Sequence, residues 1–193
     1  MITIEKNHQL IPVQIRPYLI PFIMNEFLVK EEALFEGVQA KIVDISIHNS
    51  IGKIIRLMCT KADVPLKNLN KFSVFIRVKN QHTKNEWKAN VYKYSSGSYS
   101  FLNLPEEGAD IINEHFENVF SQSLLCFLEG YVNSESNKGL RKGIDLFMQR
   151  YNLYDFEIDP ESLRRAYYRY QKKEKRLSFY CNKKSKKRIR CHT

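Results

Sequence analysis

Glycine is scarce in this chain of 193 residues, and long hydrophobic runs are missing from it. Its 7 glycines form neither G-x-x-x-x-G-K-S/T nor G-x-G-x-x-G, the glycine-rich strings that cradle nucleotide phosphates. No run reaches about 18 apolar residues, so the sequence predicts no transmembrane helix. Residues 1–6 lack the basic start and apolar stretch of a signal peptide. These absences favour a cytoplasmic protein with no membrane partner.

Cysteine is also infrequent and has no diagnostic spacing. The four cysteines are Cys59, Cys126, Cys181 and Cys191, and none of them forms a C-x-x-C pair. In a reducing compartment such residues are more often buried or spare thiols than disulfides. Cys181, Cys191 and His192 are one ligand short of a tetrahedral zinc site. Together with the missing glycine-rich strings, this pattern leads us to expect no metal, no cofactor and no catalytic residue, and hence a protein that is not an enzyme.

Apolar and aromatic residues are plentiful enough for a packed core, at 43% and 12% of the chain. Residues 38–47 are rich in β-branched side chains, and residues 72–79 alternate between apolar and polar. Both stretches predict strands, the second of them half-buried. Residues 87–94 and 99–104 predict a hairpin joined by a Ser/Gly turn at 95–98. Apolar residues then recur every four positions through 106–132, which predicts a long helix.

The order of these elements predicts an α+β fold: a mostly antiparallel sheet packed on the long helix, followed by a C-terminal helical basic segment. A loop of Ser, Asn, Gly and Lys at 133–139 is the best candidate for a boundary. We expect an α+β body at 1–137, a basic helical segment at 138–176 and a flexible basic tail at 177–193.

Positive charge is concentrated at the C-terminal end of the chain. Residues 138–193 contain 17 Lys and Arg against 6 Asp and Glu, whereas residues 1–137 contain 14 and 15. The net charge of +10 therefore comes from the last 56 residues. This pattern is typical of a polyanion binder, because cations that neutralise phosphates release condensed counterions. The alternatives are a tail that only aids solubility, or an acidic protein or membrane surface as the target.

The basic segment predicts two amphipathic helices. Residues 140–151 place an apolar side chain on one face at each helical turn. Asp159 followed by Pro160 is a strong start signal for a second helix, since Asp can cap a helix and Pro fits its first position. Basic and aromatic side chains project from the surface of this second helix that is not apolar. They are Arg164, Arg165, Tyr168, Arg169, Lys172 and Lys173.

This pair of helices resembles a helix-turn-helix DNA-binding unit over residues 138–176, with 160–175 as the recognition helix. The turn is longer than the three or four residues typical of the motif, and a third helix is missing unless the long helix supplies it. The resemblance implies that Arg164, Arg165 and Arg169 read base edges, because the N-terminal half of such a helix meets the bases in the major groove. It is also compatible with a homodimer, since such readers often bind paired half-sites.

The remaining basic residues are better placed for phosphate contacts, and Tyr168 suits either role. Those at the end of the second helix and just after it are Lys172, Lys173, Lys175 and Arg176. A further set lies in the tail segment NKKSKKRIR and consists of Lys183, Lys184, Lys186, Lys187 and Arg188.

We therefore expect a nucleic-acid-binding protein, with DNA favoured over RNA. The lack of any familiar housekeeping motif favours a regulatory or accessory role in a phage or mobile element. The alternative is a structural or interaction protein whose basic C-terminus holds nucleic acid, or an acidic partner, without sequence preference.

Overall fold

The computed structural model describes residues 8–27, 31–35, 38–46, 48–61, 72, 74–79, 91–94, 97–134, 139–156 and 158–172. Helices and a small sheet coexist within these residues, which confirms the predicted α+β class. The chain divides into two compact units, Met1–Glu117 and Asn118–Thr193. The division lies inside the long helix that spans residues 106–134.

The first unit contains most of the strands. Its elements are β1 (His8–Val13), α1 (Leu19–Glu26), β2 (Glu31–Phe35), β3 (Val38–Asp44), α2 (Ser50–Met58), β4 (Thr60–Lys61), β5 (Val74–Lys79), β6 (Val91–Tyr94), β7 (Gly97–Ser100), β8 (Leu102–Asn103) and the first part of α3 (Glu106–Ser134). Four strands form a sheet in the order β1-β5-β3-β2. Its β1–β5 and β2–β3 pairings are antiparallel and its β3–β5 pairing is parallel, so the sheet is mostly antiparallel.

Strand β5 lies in the middle of this sheet, between β1 and β3. Val74, Phe75 and Ile76 are 1%, 0% and 1% exposed, although neighbours along a strand point to opposite faces. The sheet is therefore covered on both faces here, and the prediction of a half-buried strand is wrong. The polar position that suggested it, Arg77, forms two hydrogen bonds of 2.5 and 2.9 Å with Asp44, its cross-strand neighbour.

Local sequence signals set the starts of the first two helices. Helix α1 begins at Leu19, and Pro21 lies in its first turn, where a missing N–H removes no intrahelical hydrogen bond. Asn49 caps α2, because its side-chain oxygen accepts a hydrogen bond from the Gly52 N–H at 2.6 Å.

The hairpin differs in extent from the prediction. Strand β6 pairs with β7 in a register that places Tyr94 opposite Gly97. Because two residues are enough to connect the strands of a hairpin, Gly97 and Ser98 belong to the second strand, and their assignment to the turn is wrong. Leu102 and Asn103 form the separate strand β8, which pairs with β4. Residues 87–90 lie outside the described part of the chain.

The first part of α3 is fixed to the segment after β1 by Asn113, which is 5% exposed. Its amide nitrogen donates to the backbone oxygens of Gln14 and Ala109, at 2.8 and 2.9 Å. Its amide oxygen accepts from the Arg16 N–H at 2.9 Å, and the Arg16 guanidinium pairs with Glu117. A buried amide needs such partners to offset its desolvation, so this network holds helix and segment in one arrangement.

The second unit is helical in the residues that the structure describes. It contains the rest of α3, then α4 (Leu140–Arg150), a short 3-10 turn (Leu153–Asp155) and α5 (Pro160–Lys172). Helices α4 and α5 begin at the predicted residues. The predicted continuation of the second helix to residue 175 lies outside the described residues.

An aromatic cluster around Phe147 forms the centre of the second unit. The ring centroids of Phe120, Phe127 and Tyr151 lie 5.6, 5.6 and 4.8 Å from that of Phe147. Helix α4 approaches α3 closely at Gly143, where a Cβ atom would lie 2.8 Å from the Tyr131 ring. Glycine is therefore required at this position by the close approach of the two helices.

Among the described residues, no helix is both long enough and apolar enough to cross a membrane. No group of His, Cys, Asp and Glu side chains in the same residues is arranged to hold a metal ion. Cys59 and Cys126 are free thiols, and burial raises the pKa of Cys59 to about 12. Cys181, Cys191 and His192 lie outside the described residues.

Replacing Phe147 with alanine should lower the free energy of unfolding by about 3–5 kcal/mol, because the cavity left by the ring has aromatic neighbours on several sides. The matched control is its chain neighbour Leu146, which is 39% exposed. We expect Leu146→Ala to change the free energy by less than about 0.5 kcal/mol. Chemical denaturation followed by circular dichroism measures both values, and equal losses would contradict the assigned core.

Candidate nucleic-acid interface

Helix α5 begins with the cap that the sequence predicted. The Asp159 carboxylate accepts hydrogen bonds from the Glu161 N–H at 3.0 Å and from the Ser162 hydroxyl at 3.2 Å. Pro160 occupies the first helical position. Its fixed φ suits the helix there, and its missing N–H removes no hydrogen bond within the helix. The start of α5 is therefore specified by local chemistry.

Leu163 and Tyr167 anchor the inner face of α5 in the second unit. They are 7% and 2% exposed, and they lie one helical turn apart. The Tyr167 hydroxyl donates to Glu129 Oε2 on α3 at 3.1 Å. Asn133 donates to the other carboxylate oxygen of Glu129 at 2.9 Å, so this carboxylate is held from two sides. The rotation of α5 about its own axis is thereby fixed.

The outward face of α5 follows from this anchoring, since residues at i, i+3, i+4 and i+7 share one side of a helix. Counted from Arg165, these positions lie opposite Leu163 and Tyr167. All four side chains are exposed. This set, which we call the outward face, consists of Arg165, Tyr168, Arg169 and Lys172. The structure thus brings together four of the predicted site residues on one surface.

Arg164 is exposed as well, but it lies at the border of the outward face and already has partners. Its guanidinium forms a 2.9 Å ion pair with Glu161 and lies 5.9 Å from the centroid of the Tyr168 ring. Arg165 approaches Asp159 only to 3.9 Å. Arg169 and Lys172 form no ion pair with any residue that the structure describes, so they present the least neutralised charge on α5.

Helix α4 adds a second set of exposed cations that the sequence reasoning did not assign to the site. They are Arg141, Lys142 and Arg150. Arg150 lies 5.5 Å from the centroid of the Tyr151 ring. A helical wheel would have found them, because each falls off the apolar stripe that contains Ile144 and Phe147.

The end of α3 lies beside both α4 and α5. It packs against α4 through Phe120, Phe127 and Phe147, and it receives α5 through the Tyr167 hydrogen bond. Residues 151–159 connect α4 to α5, so the connection is longer than that of a standard helix-turn-helix, as predicted. It includes Asn152 in the left-handed region at φ 50°, a conformation that asparagine tolerates better than most residues.

The other predicted site residues lie outside the described part of the chain. They are Lys173, Lys175, Arg176, Lys183, Lys184, Lys186, Lys187 and Arg188. These residues contribute to the positive charge of the second unit, since residues 118–193 contain 17 Lys and Arg against 8 Asp and Glu.

Comparisons with protein-family models, with curated proteins and with solved structures find no match to this chain. The candidate interface therefore depends on its geometry and charge alone.

The Tyr167 phenol makes stability depend on pH in the alkaline range. Burial of the ring, together with the hydrogen bond to Glu129 and its charge, raises the pKa of Tyr167 above its ordinary value. The folded protein then holds this proton more tightly than the unfolded chain does. The resulting stability is fully present below about pH 10 and is lost as the pH rises through the raised pKa.

We expect Tyr167→Phe to lower the free energy of unfolding by about 1 kcal/mol near neutral pH, because it removes one hydrogen bond. The difference between wild type and variant should shrink above about pH 10, where the wild type alone must lose the Tyr167 proton. Denaturation at a series of pH values measures it, with Tyr168→Phe on the exposed side as the control. A difference that stays constant with pH would contradict the assigned role of Tyr167.

Proposed function

We propose that this protein binds duplex DNA through the outward face of α5, with phosphate contacts from the exposed cations of α4 and from the basic residues that follow α5. The observation that carries the proposal is the separation of faces on α5. Leu163 and Tyr167 are sequestered, while Arg165, Tyr168, Arg169 and Lys172 are all exposed. A helix that presents its cations on one side can enter the major groove with that side facing the bases.

The arrangement of charge favours different roles for different cations. Arg165 and Arg169 are one turn apart, and the guanidinium group can donate two hydrogen bonds to the O6 and N7 of guanine. Lys172 and the three cations of α4 suit phosphates, which position the protein but carry no sequence information. Arg164, which pairs with Glu161 and lies over Tyr168, is the least suited of the three arginines to read a base.

Double-stranded RNA is a poorer ligand for the same surface. Its major groove is deep and narrow, so side chains on a helix cannot reach the base edges. The proposal therefore favours DNA over RNA. We further propose a cytoplasmic protein with a regulatory or accessory role in a phage or mobile element, because sequence-specific binding without a recognisable catalytic motif suits such a role.

Substitution of two arginines of α5 tests this proposal. A preferred site is first selected from a library of random duplexes. Arg169→Ala should then weaken binding to that site by about 1–3 kcal/mol, with a much smaller loss on unrelated duplexes. Arg164→Ala is the matched control, because it removes the same charge from the same helix. We expect it to cost less on the selected site, since Glu161 already occupies that guanidinium.

Fluorescence anisotropy of the full chain at constant salt measures these losses, and Lys186→Ala serves as a second control. Equal losses from Arg169→Ala and Lys186→Ala on every sequence would contradict sequence reading. That result would instead favour a structural or interaction protein that holds nucleic acid without preference.

A further inference from the structure

A second surface, on α2 in the first unit, carries exposed cations beside an exposed apolar side chain. Lys53 and Arg56 are both exposed, and Leu57 between them and the end of the helix is 86% exposed. Residues 50–61 contain no acidic residue. Neither Lys53 nor Arg56 forms an ion pair with a described residue. We call Lys53, Arg56 and Leu57 the basic face.

The other arginines of the first unit are neutralised within the described residues. Arg16 pairs with Glu117, and Arg77 pairs with Asp44. Arg56 differs from these two arginines, because no described residue forms an ion pair with it. Its own helix contains no carboxylate that could do so. Among the described residues, the charge of the basic face is therefore not neutralised and is available to a partner.

The start of α3 carries the opposite charge. Its exposed carboxylates cover one side of the helix, and no Lys or Arg occurs anywhere in the 29 residues of α3. Ile111, at the edge of this side, is 41% exposed. We call this surface the acidic face, and its residues are Glu106, Glu107, Asp110, Ile111 and Glu114.

The two faces lie on neighbouring helices of one unit. The Met58 methyl group, at the end of α2, is 3.3 Å from the position that a Cβ atom of residue 108 would occupy on α3. Patches of opposite charge on two neighbouring helices suit a two-fold dimer, in which each contact is made twice: the basic face of each copy meets the acidic face of the other.

We infer that the basic face of α2 docks a second copy of this chain, which it contacts through the acidic face of α3. The charges are complementary, which guides association and fixes the register of an interface. Each face also has one exposed aliphatic side chain, Leu57 or Ile111, that gains from removal from water. Nucleic acid is a less suitable occupant of α2, because the neighbouring carboxylates repel phosphates and because Leu57 gains nothing from a phosphate backbone.

Sedimentation of the full chain without nucleic acid tests the inference, at protein concentrations from about 1 to about 100 μM. The wild type should be a dimer at the upper end, and added salt should weaken it. Lys53→Glu with Arg56→Glu should raise the dimer Kd at least about tenfold, because like charges then face each other. Asp110→Lys with Glu114→Lys should do the same. The control is Gln122→Lys, an exposed position on α3 outside the acidic face.

The decisive variant combines all four reversals, which restores opposite charges across the interface. It should return the Kd to within about threefold of the wild type. Such a recovery cannot come from a folding defect in either pair of reversals. Leu57→Ser should also weaken the dimer, whatever the salt concentration.

Three results would overturn the inference. One is a wild type that stays monomeric across the concentration range. Another is a set of reversed variants that associate as the wild type does. The third is an α2 reversal that leaves association unchanged but weakens DNA binding, which would assign the basic face to nucleic acid. Since the sedimentation samples contain no nucleic acid, failure here leaves the DNA-binding proposal for α5 intact.

Discussion

The contact between Tyr167 and Glu129 determines what the second unit presents to solvent. Tyr167 is 2% exposed and donates to a carboxylate on α3 at 3.1 Å, while Leu163 packs one turn earlier. Two anchors on one side of a helix fix its rotation, because each residue is offset by about 100° from the next. Arg165, Arg169 and Lys172 therefore face outward as a consequence of how α5 is held. An α5 that rotated freely would spread the same charges over all directions.

The elements that can be predicted from the sequence are those that nearby residues specify. Asp159 and Pro160 predict the start of α5, and the apolar repeat of four residues predicts α3. Local sequence patterns do not predict a feature that depends on contact with a segment distant in the chain. Nothing in residues 72–79 reveals that both faces of β5 are covered, so their alternation predicts a strand that is buried on one face only. The pairing of β8 with β4 joins segments about 40 residues apart and leaves no local pattern.

The candidate interface also has features that the sequence predicts and features that only the structure shows. The cations of α5 are found by helical spacing, whereas the Glu161–Arg164 ion pair, which lies at i and i+3, is not among the predictions. The hydrogen bond that anchors α5 reaches Glu129, a residue 38 positions away from Tyr167, so this anchor needs the structure. The cations of α4 were visible as charge in the sequence, but their exposure follows from the aromatic packing around Phe147.

The two units have different electrostatic characters, and the proposals assign them different partners. Residues 118–193 have a large excess of positive charge, whereas residues 1–117 contain 14 Lys and Arg against 13 Asp and Glu. A nearly neutral unit with separate basic and acidic faces suits association with its own kind, and a basic unit suits a polyanion. Self-association would double the number of DNA contacts without any new contact in the second unit, which raises affinity through effective concentration.

The most direct test of the central claim is the affinity of the full chain for a fluorescent DNA duplex across a salt series. Matched duplex RNA and single strands are measured in parallel. We predict binding at low salt and a plot of log K against log salt with a slope near −0.9 for each phosphate contacted, hence about −3 or steeper if α5 and α4 both engage. RNA should bind more weakly than DNA. Absence of binding at low salt, or an affinity that does not change with salt, would contradict the claim that the cations of α5 form a DNA-binding surface.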